Sequence, residues 1–257
     1  MKVVSWNVNS VVARRERLLA WLHKHQPDVL CLQELKTVDD GFPRAEVEAL
    51  GYHVALHGQR TYNGVAVLSR TPIEDVRKNL DDGDEESDAR LLSVRIGGTR
   101  VICCYVPNGQ SLDSPKFAYK LSWLDRLGAY LARHHTKEES LLVCGDFNIA
   151  PEDRDVYDPA ALREDVLCHP LVREKWHALL GFGLVDTFRQ HVPDAGKYSW
   201  WDYRMLGFPK GRGLRIDHLL ATAPLAARCT GAAIDREERK GKQPSDHAPA
   251  VAELTSL

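Results

Sequence analysis

Acids, amides and one imidazole recur at the ends of apolar runs in this chain. Near the C-terminus, Ser245-Asp246-His247-Ala248-Pro249 sets a carboxylate beside an imidazole, and an apolar run follows (Ala250, Val251, Ala252, Leu254). Asn7 closes Val3-Val4-Ser5-Trp6, and Glu34 closes Val29-Leu30-Cys31-Leu32-Gln33. Tyr105 and Asn108 follow Val101-Ile102-Cys103-Cys104, and Asp146 and Asn148 follow Leu141-Leu142-Val143-Cys144-Gly145. Asp217 sits in an apolar stretch that continues through Leu219-Leu220. Any one of these has a bland explanation, such as a turn cap for Asn7 or a packed aromatic for Tyr105. Strand mouths are also where scaffolds carry chemistry. Convergence of so many carboxylates and amides would suit a hard cation such as Mg²⁺. Such an ion neutralises the charge that builds up in phosphoryl transfer. The chain has no Cys-x-x-Cys pair and no cluster of His, which argues against zinc.

Spacing constrains the set further. Asp146 and Asn148 are two apart, so in an extended segment both face one side while Phe147 faces the other. An acid in an apolar strand costs several kcal/mol unless it is paired, so Asp217 needs a partner. Asp246 and His247 are adjacent, so in an extended segment they point to opposite sides and Asp246 is poorly placed to orient the imidazole. Asp217 is the natural alternative. A carboxylate that fixes an imidazole and favours its cation is a device for binding or protonating an oxyanion.

The elements that must position these residues follow one plan twice. A strand ending at Asn7 leads to a helix carrying Leu18, Leu19 and Leu22, then to a strand ending at Glu34. A strand over 100–105 leads to a helix with Leu121, Leu124, Leu127 and Leu131 at helical spacing, then to the strand ending at Asp146. The two halves read as a duplication in architecture. Further strands are expected at 64–70, 91–96, 215–222 and 248–254, with a helix around 171–180 followed by Gly183-Leu184-Val185-Asp186. The acidic run Asp81–Glu86 reads as a solvated loop. Many strands and few helices predict an α/β protein: a four-layer α/β sandwich of two packed mixed β-sheets flanked by helices. A doubly wound nucleotide-binding sheet is disfavoured, because neither strand-helix turn carries Gly-x-Gly-x-x-Gly.

The 257 residues, with no linker-like stretch, are expected to form one catalytic domain over 1–257. The formal net charge is -2, so a polyanionic partner would have to be met by locally concentrated Lys and Arg. Cys31, Cys103, Cys104 and Cys144 lie in apolar runs and read as small core residues of a reduced, cytoplasmic protein. No segment approaches the roughly 20 apolar residues of a membrane span, and no membrane association is expected.

Taken together, Trp6-Asn7-Val8-Asn9, Leu32-Gln33-Glu34, Tyr105-Val106-Pro107-Asn108-Gly109, Gly145-Asp146-Phe147-Asn148, Arg215-Ile216-Asp217-His218 and Ser245-Asp246-His247-Ala248-Pro249 resemble the endonuclease/exonuclease/phosphatase superfamily, in particular its bacterial exonuclease III family. Six short motifs in order over nearly the whole chain carry the resemblance. It implies a Mg²⁺-dependent DNA repair phosphodiesterase, with Mn²⁺ expected to substitute. The implied reaction is cleavage 5′ to abasic sites, with 3′–5′ exonuclease and 3′-repair activity. In that reading Glu34 binds the metal, with Asn7 and Asp246 close to it. Asp146 deprotonates the attacking water and Asn148 holds that water or the phosphate. Tyr105 and Asn108 line the phosphate pocket, and His247, paired with Asp217, contacts the scissile phosphate.

The implied partner is double-stranded DNA with abasic sites or 3′-blocked ends, bound by a monomer. Trp200, Trp201 and Leu214 match the family's sugar-pocket positions, and an abasic nucleotide has no base to unstack. Arg90 and Lys116 match phosphate-contact positions. Arg212, Arg204, Lys210, Arg215 and Lys120 are further cations that would make binding salt-dependent. His218 and the loop over 152–170 depart from the family's prototype. Two alternatives remain at this level: a phosphodiesterase or phosphatase acting on lipid or small-molecule phosphates, and a catalytically inactive DNA-binding module. The tandem tryptophans weigh against the first. Clustered unneutralised carboxylates, which would repel DNA, weigh against the second.

Overall fold

A computed structural model describes residues 1–84 and 88–255. Its strands are β1 (Lys2–Asn7), β2 (Val29–Gln33), β3 (His53–His57), β4 (Val65–Ser69), β5 (Ile73–Lys78), β6 (Leu91–Ile96), β7 (Thr99–Tyr105), β8 (Leu141–Asp146), β9 (Leu184–Asp186), β10 (Asp217–Thr222), β11 (Cys229–Ile234) and β12 (Ala250–Leu254). Its α-helices are α1 (Arg15–His25), α2 (Arg44–Ala49), α3 (Pro115–His134), α4 (Pro170–Gly181), α5 (Thr187–His191) and α6 (Ala223–Ala226). The strands form two six-stranded sheets, ordered β11-β12-β1-β2-β4-β3 and β5-β6-β7-β8-β10-β9. Each sheet has one parallel pair at its centre, β1 with β2 and β7 with β8, and is otherwise antiparallel. The duplicated strand-helix-strand plan therefore occupies the same place in both sheets.

Period-two alternation builds the layers. Val3, Cys31, Val101, Cys103, Leu142 and Cys144 point into the space between the sheets. Their neighbours Val4, Leu30 and Leu32 meet Leu18, Trp21 and Leu22 of α1 on one outer face. Ile102, Leu141 and Val143 meet Leu124, Leu127 and Trp176 of α3 and α4 on the other. Each buried Leu or Val contributes about 1.5–3 kcal/mol, which drives the sheets and helices into four layers. The cysteines behave as small core residues: all six are buried and free.

Three strands were not anticipated. β5 is almost wholly exposed, and β3 and β11 are also edge strands with interrupted apolar patterns. An edge strand has weak pattern because one of its flanks meets water. Asp82 and Asp84 of the acidic run are less free than a solvated loop implies, since both bond Arg126 on α3. Glu85 and Glu86 of that run lie outside the described residues. No helix among the described residues is long and apolar enough to cross a membrane.

Candidate active site

Register brings the polar strand ends to one edge. In the parallel pairs Asn7 lies opposite Gln33, one residue before Glu34, and Tyr105 lies opposite Asp146. β10 runs antiparallel to β8, so its first residue, Asp217, sits opposite Asp146. A glycine makes the last approach possible. Gly145 has φ +153°, and a Cβ there would fall 1.8 Å from the Cys104 carbonyl oxygen.

Asn7 ties the two sheets together. Its Nδ2 donates to Glu34 Oε1 at 2.8 Å and to Asp146 Oδ2 at 2.9 Å. Its Oδ1 accepts from the Asn9 amide at 2.9 Å, which fixes the orientation of the side-chain amide. Asn7 thus presents hydrogens to the two carboxylates. Asn7, expected close to the metal, lies against Glu34 and Asp146 and is placed to orient both acids. Glu34, at φ 53°, places Oε2 2.8 Å from Lys36 Nζ, and Lys36 also donates to Asn9 Oδ1 at 2.6 Å. Lys36 and Asn9 belong to the site although sequence reasoning singled out neither as a site residue. The available signal was Lys36 two residues beyond Glu34 and Asn9 two beyond Asn7.

The imidazole is held as period-two geometry required. His247 Nδ1 and Asp217 Oδ2 are 2.9 Å apart, while His247 Nε2 lies 3.6 Å from Asp146 Oδ2. Burial alone would lower the His247 pKa, but the Asp217 and Asp146 carboxylates outweigh it and hold it up at about 10. The ring is therefore a cation at neutral pH. Burial raises Asp146, and Asp217 adds to this; His247 opposes both, and the carboxyl is left at about 7. Asp246 points elsewhere. Its oxygens accept from Trp200 Nε1 at 3.0 Å and Asn9 Nδ2 at 2.9 Å. Burial would raise its pKa, but His247, Trp200 and Asn9 together keep it low.

Ligand atoms of Glu34, Asp146 and His247 lie within 4.8 Å of one another, and Asp246 is not among them. Protonated His247 has no lone pair to offer. The donor set is then the carboxylate oxygens of Glu34 and Asp146, which fits a hard divalent cation and not a soft one. Asp246, also expected close to the metal, is held by Trp200 and Asn9.

The remaining polar residues form a second rank. Asn108 Nδ2 donates to Asn148 Oδ1 at 3.0 Å, and Asn148 Nδ2 donates to the Val106 carbonyl at 2.9 Å. Asn148 is left-handed at φ 51°, while Phe147 packs away against Trp176 and His218. Burial, with the Glu34 and Asp146 charges, pushes the Tyr105 hydroxyl well up, so it remains a hydrogen-bond donor. Arg90 lies over its ring at 4.9 Å and also pairs with Asp88. Lys116 and Arg212 are exposed, as phosphate contacts must be.

Several expected DNA contacts are buried instead. Trp201 is 1% exposed and packs on Phe208, and Leu214 is 3% exposed and packs beside the partly exposed Trp200. Arg215 is sealed against Asp155 and Asp186, and Lys120 is 0% exposed. Buried His218 accepts from Arg215 through Nδ1 at 2.9 Å and donates from Nε2 to the Ile149 carbonyl at 2.8 Å. Burial lowers its pKa to about 4, and it stays neutral.

The chain is similar in sequence and fold to known proteins. Residues 4–247 match the Endonuclease/Exonuclease/phosphatase family. The chain is 40% identical over 266 residues to exodeoxyribonuclease III of Haemophilus influenzae, covering 99% of this chain and 100% of that one. Among solved structures, an AP endonuclease from Archaeoglobus fulgidus superposes with a TM-score of 0.96 at 39% identity, covering 100% of both chains. The 3′ phosphatase NExo from Neisseria, bound to a product DNA hairpin, superposes at 0.95 with 40% identity, again over 100% of both. With two mixed sheets, acids gathered at their common edge and full-length similarity of this order, the chain belongs to the endonuclease/exonuclease/phosphatase family, in its exonuclease III branch.

Proposed function

We propose that this chain is a Mg²⁺-dependent DNA repair phosphodiesterase that cuts the backbone 5′ to abasic sites and also clears blocked 3′ ends. One observation carries the reading: Glu34, Asp146 and His247 converge within 4.8 Å at an edge where Asn7 bridges both sheets. Glu34 and Asp146 would hold the cation, which when bound supplies positive charge to the reacting phosphate. Asp146, opposite Asp217 and beside His247, is placed to take the proton of the attacking water. The water oxygen bonds to phosphorus as the bond to the 3′ oxygen breaks; the departing oxygen takes a proton from solvent, leaving a 3′-hydroxyl and a 5′-deoxyribose phosphate. Cationic His247, fixed by Asp217, donates through Nε2 to a phosphate oxygen. Tyr105, Asn108 and Asn148 keep donors free for the other oxygens. Trp200, held by Asp246, walls the sugar, and Arg90, Lys116 and Arg212 meet flanking phosphates.

Activity at 3′ ends is favoured by the 40% identity to a Neisseria protein described as a 3′ phosphatase. Two duplexes test the proposal, one with a single internal abasic site and one ending in a 3′-phosphate, each with Mg²⁺ or with EDTA. Metal-dependent nicking 5′ to the abasic site supports the main reading. Loss of the 3′-phosphate without nicking restricts the enzyme to end processing. If both duplexes survive in Mg²⁺, the proposal fails.

A further inference from the structure

Lys120 breaks the pattern of its own helix. The buried stripe of α3 runs Phe117, Lys120, Trp123, Leu124, Leu127 and Leu131, so a lysine occupies a core position. Its stem passes Gly109, where φ is +99° and a Cβ would come within 3.2 Å of Lys120 Cδ. Its ammonium has three hydrogens and three acceptors: the carbonyl oxygens of Asn148 at 2.6 Å, Val166 at 2.7 Å and Asn108 at 3.1 Å. Among the described residues, no carboxylate oxygen lies within 4.0 Å of it. Burying an ammonium this way is costly, and an apolar side chain would serve packing better.

The three carbonyls show what the charge holds. Two belong to Asn148 and Asn108, whose side chains bond each other at the mouth. The third belongs to the segment before α4, and Leu167 in that segment accepts from the amide of Ala150. Asn148 is left-handed at φ 51°, a conformation that asparagine tolerates only with local support. Its amide is held by Asp146 Oδ1 at 2.9 Å and its carbonyl by Lys120.

We propose that Lys120 is a positioning residue for phosphodiester hydrolysis: from behind the mouth, its ammonium locks the backbone of Asn148 and Asn108 so that their side chains meet the phosphate. The inference rests on the phosphodiesterase reading above. Because Lys120 acts through Asn148 and Asn108, its loss and the joint loss of their side chains must not add. Removal of one preorganised donor costs about 100-fold in kcat or more, so Lys120→Met should lose about 100-fold in kcat on the abasic duplex with KM little changed. Leu127→Ala, on the same helix and far from the mouth, should keep kcat within about threefold while lowering thermal stability. In an Asn108→Ala/Asn148→Ala background, adding Lys120→Met should cost less than about threefold.

A folded Lys120→Met with near-normal kcat would overturn the inference. So would a loss beyond about threefold on top of Asn108→Ala/Asn148→Ala, because that marks damage independent of both asparagines. If Lys120→Met does not fold at 25 °C, Lys120→Gln is read in the same way; if neither folds, Lys120 is a fold determinant and the inference falls. A wild-type chain that cleaves neither duplex refutes the function itself. Wild-type cleavage with an unaffected Lys120→Met refutes only the role of Lys120.

Discussion

Two clusters of buried charge begin two residues apart, at Arg215 and Asp217, and they are built on opposite rules. Around Arg215 every charge is matched. Asp155 receives Arg215 Nε at 2.6 Å and also Arg189, and Asp186 receives Arg215 Nη2 at 2.8 Å. Burial would raise the Asp155 carboxyl, but the two guanidiniums keep it below its ordinary value; burial likewise works against Arg215, yet the acids raise it. Around Asp217 the acids are in surplus. Among the described residues the carboxylates of Glu34, Asp146, Asp217 and Asp246 have only Lys36 and His247 as ion-pair partners, and Asp146 is driven up to about 7. A balanced cluster has nothing left to bind and serves as a rivet. An unbalanced one stores negative potential that a divalent cation relieves. Lys120 is a third case: its nitrogen has carbonyls for partners, and burial pushes its pKa down to about 7.

The contrast can be broken in several ways. Asp146→Asn removes the surplus acid that receives the proton, and turnover should fall about 10³-fold while binding of an abasic duplex persists. Single-turnover rates and band shifts check this, and turnover within tenfold of wild type would end the distinction. At the rivet, Asp155→Ala leaves the buried Arg189 guanidinium without a carboxylate and Arg215 with Asp186 alone, and should cost about 3–5 kcal/mol of stability in urea titrations. A loss under about 1 kcal/mol would mean the matched cluster is not structural. Mg²⁺ at a hundred times its Kd should stabilise the native state by about 2.7 kcal/mol, seen as a rise in Tm, and Glu34→Gln should abolish that rise. An equal rise in the variant would place the cation elsewhere.

The smallest effect concerns protons. His247 has a raised pKa, so its contribution to stability is complete below about 6.5 and is lost as pH climbs towards about 10. Asp217→Asn should bring the ring's pKa down in an NMR titration. In EDTA, the stability gap between wild type and this variant should shrink from pH 6.5 to 10. A constant gap would show that Asp217 acts through packing alone.

Much of the site was legible in the chain because strand ends and period-two facing are local properties. The Asp217–His247 pair followed from adjacency at 246 and 247 together with the cost of an unpaired acid at 217. The cations were less legible. Arg215 and Lys120 look like Arg212 and Lys116 in a sequence, yet the first two are sealed and the last two exposed. Trp200 and Trp201 are likewise adjacent, and alternation alone does not say which of them faces the mouth.

By itself the sequence determined the four-layer plan, the two strand-helix-strand units and the residues that cap their strands, since apolar periodicity dictates which side chains leave water. Only the tertiary structure decided who meets whom. It made Asn7 a bridge between sheets, joined Lys36 to Glu34, turned Asp246 towards Trp200 and set Lys120 beneath Asn148. The physical reason is that a charge or amide takes its role from the partners that desolvate or satisfy it. Those partners come from strands distant in sequence, and register and packing bring them within 3 Å.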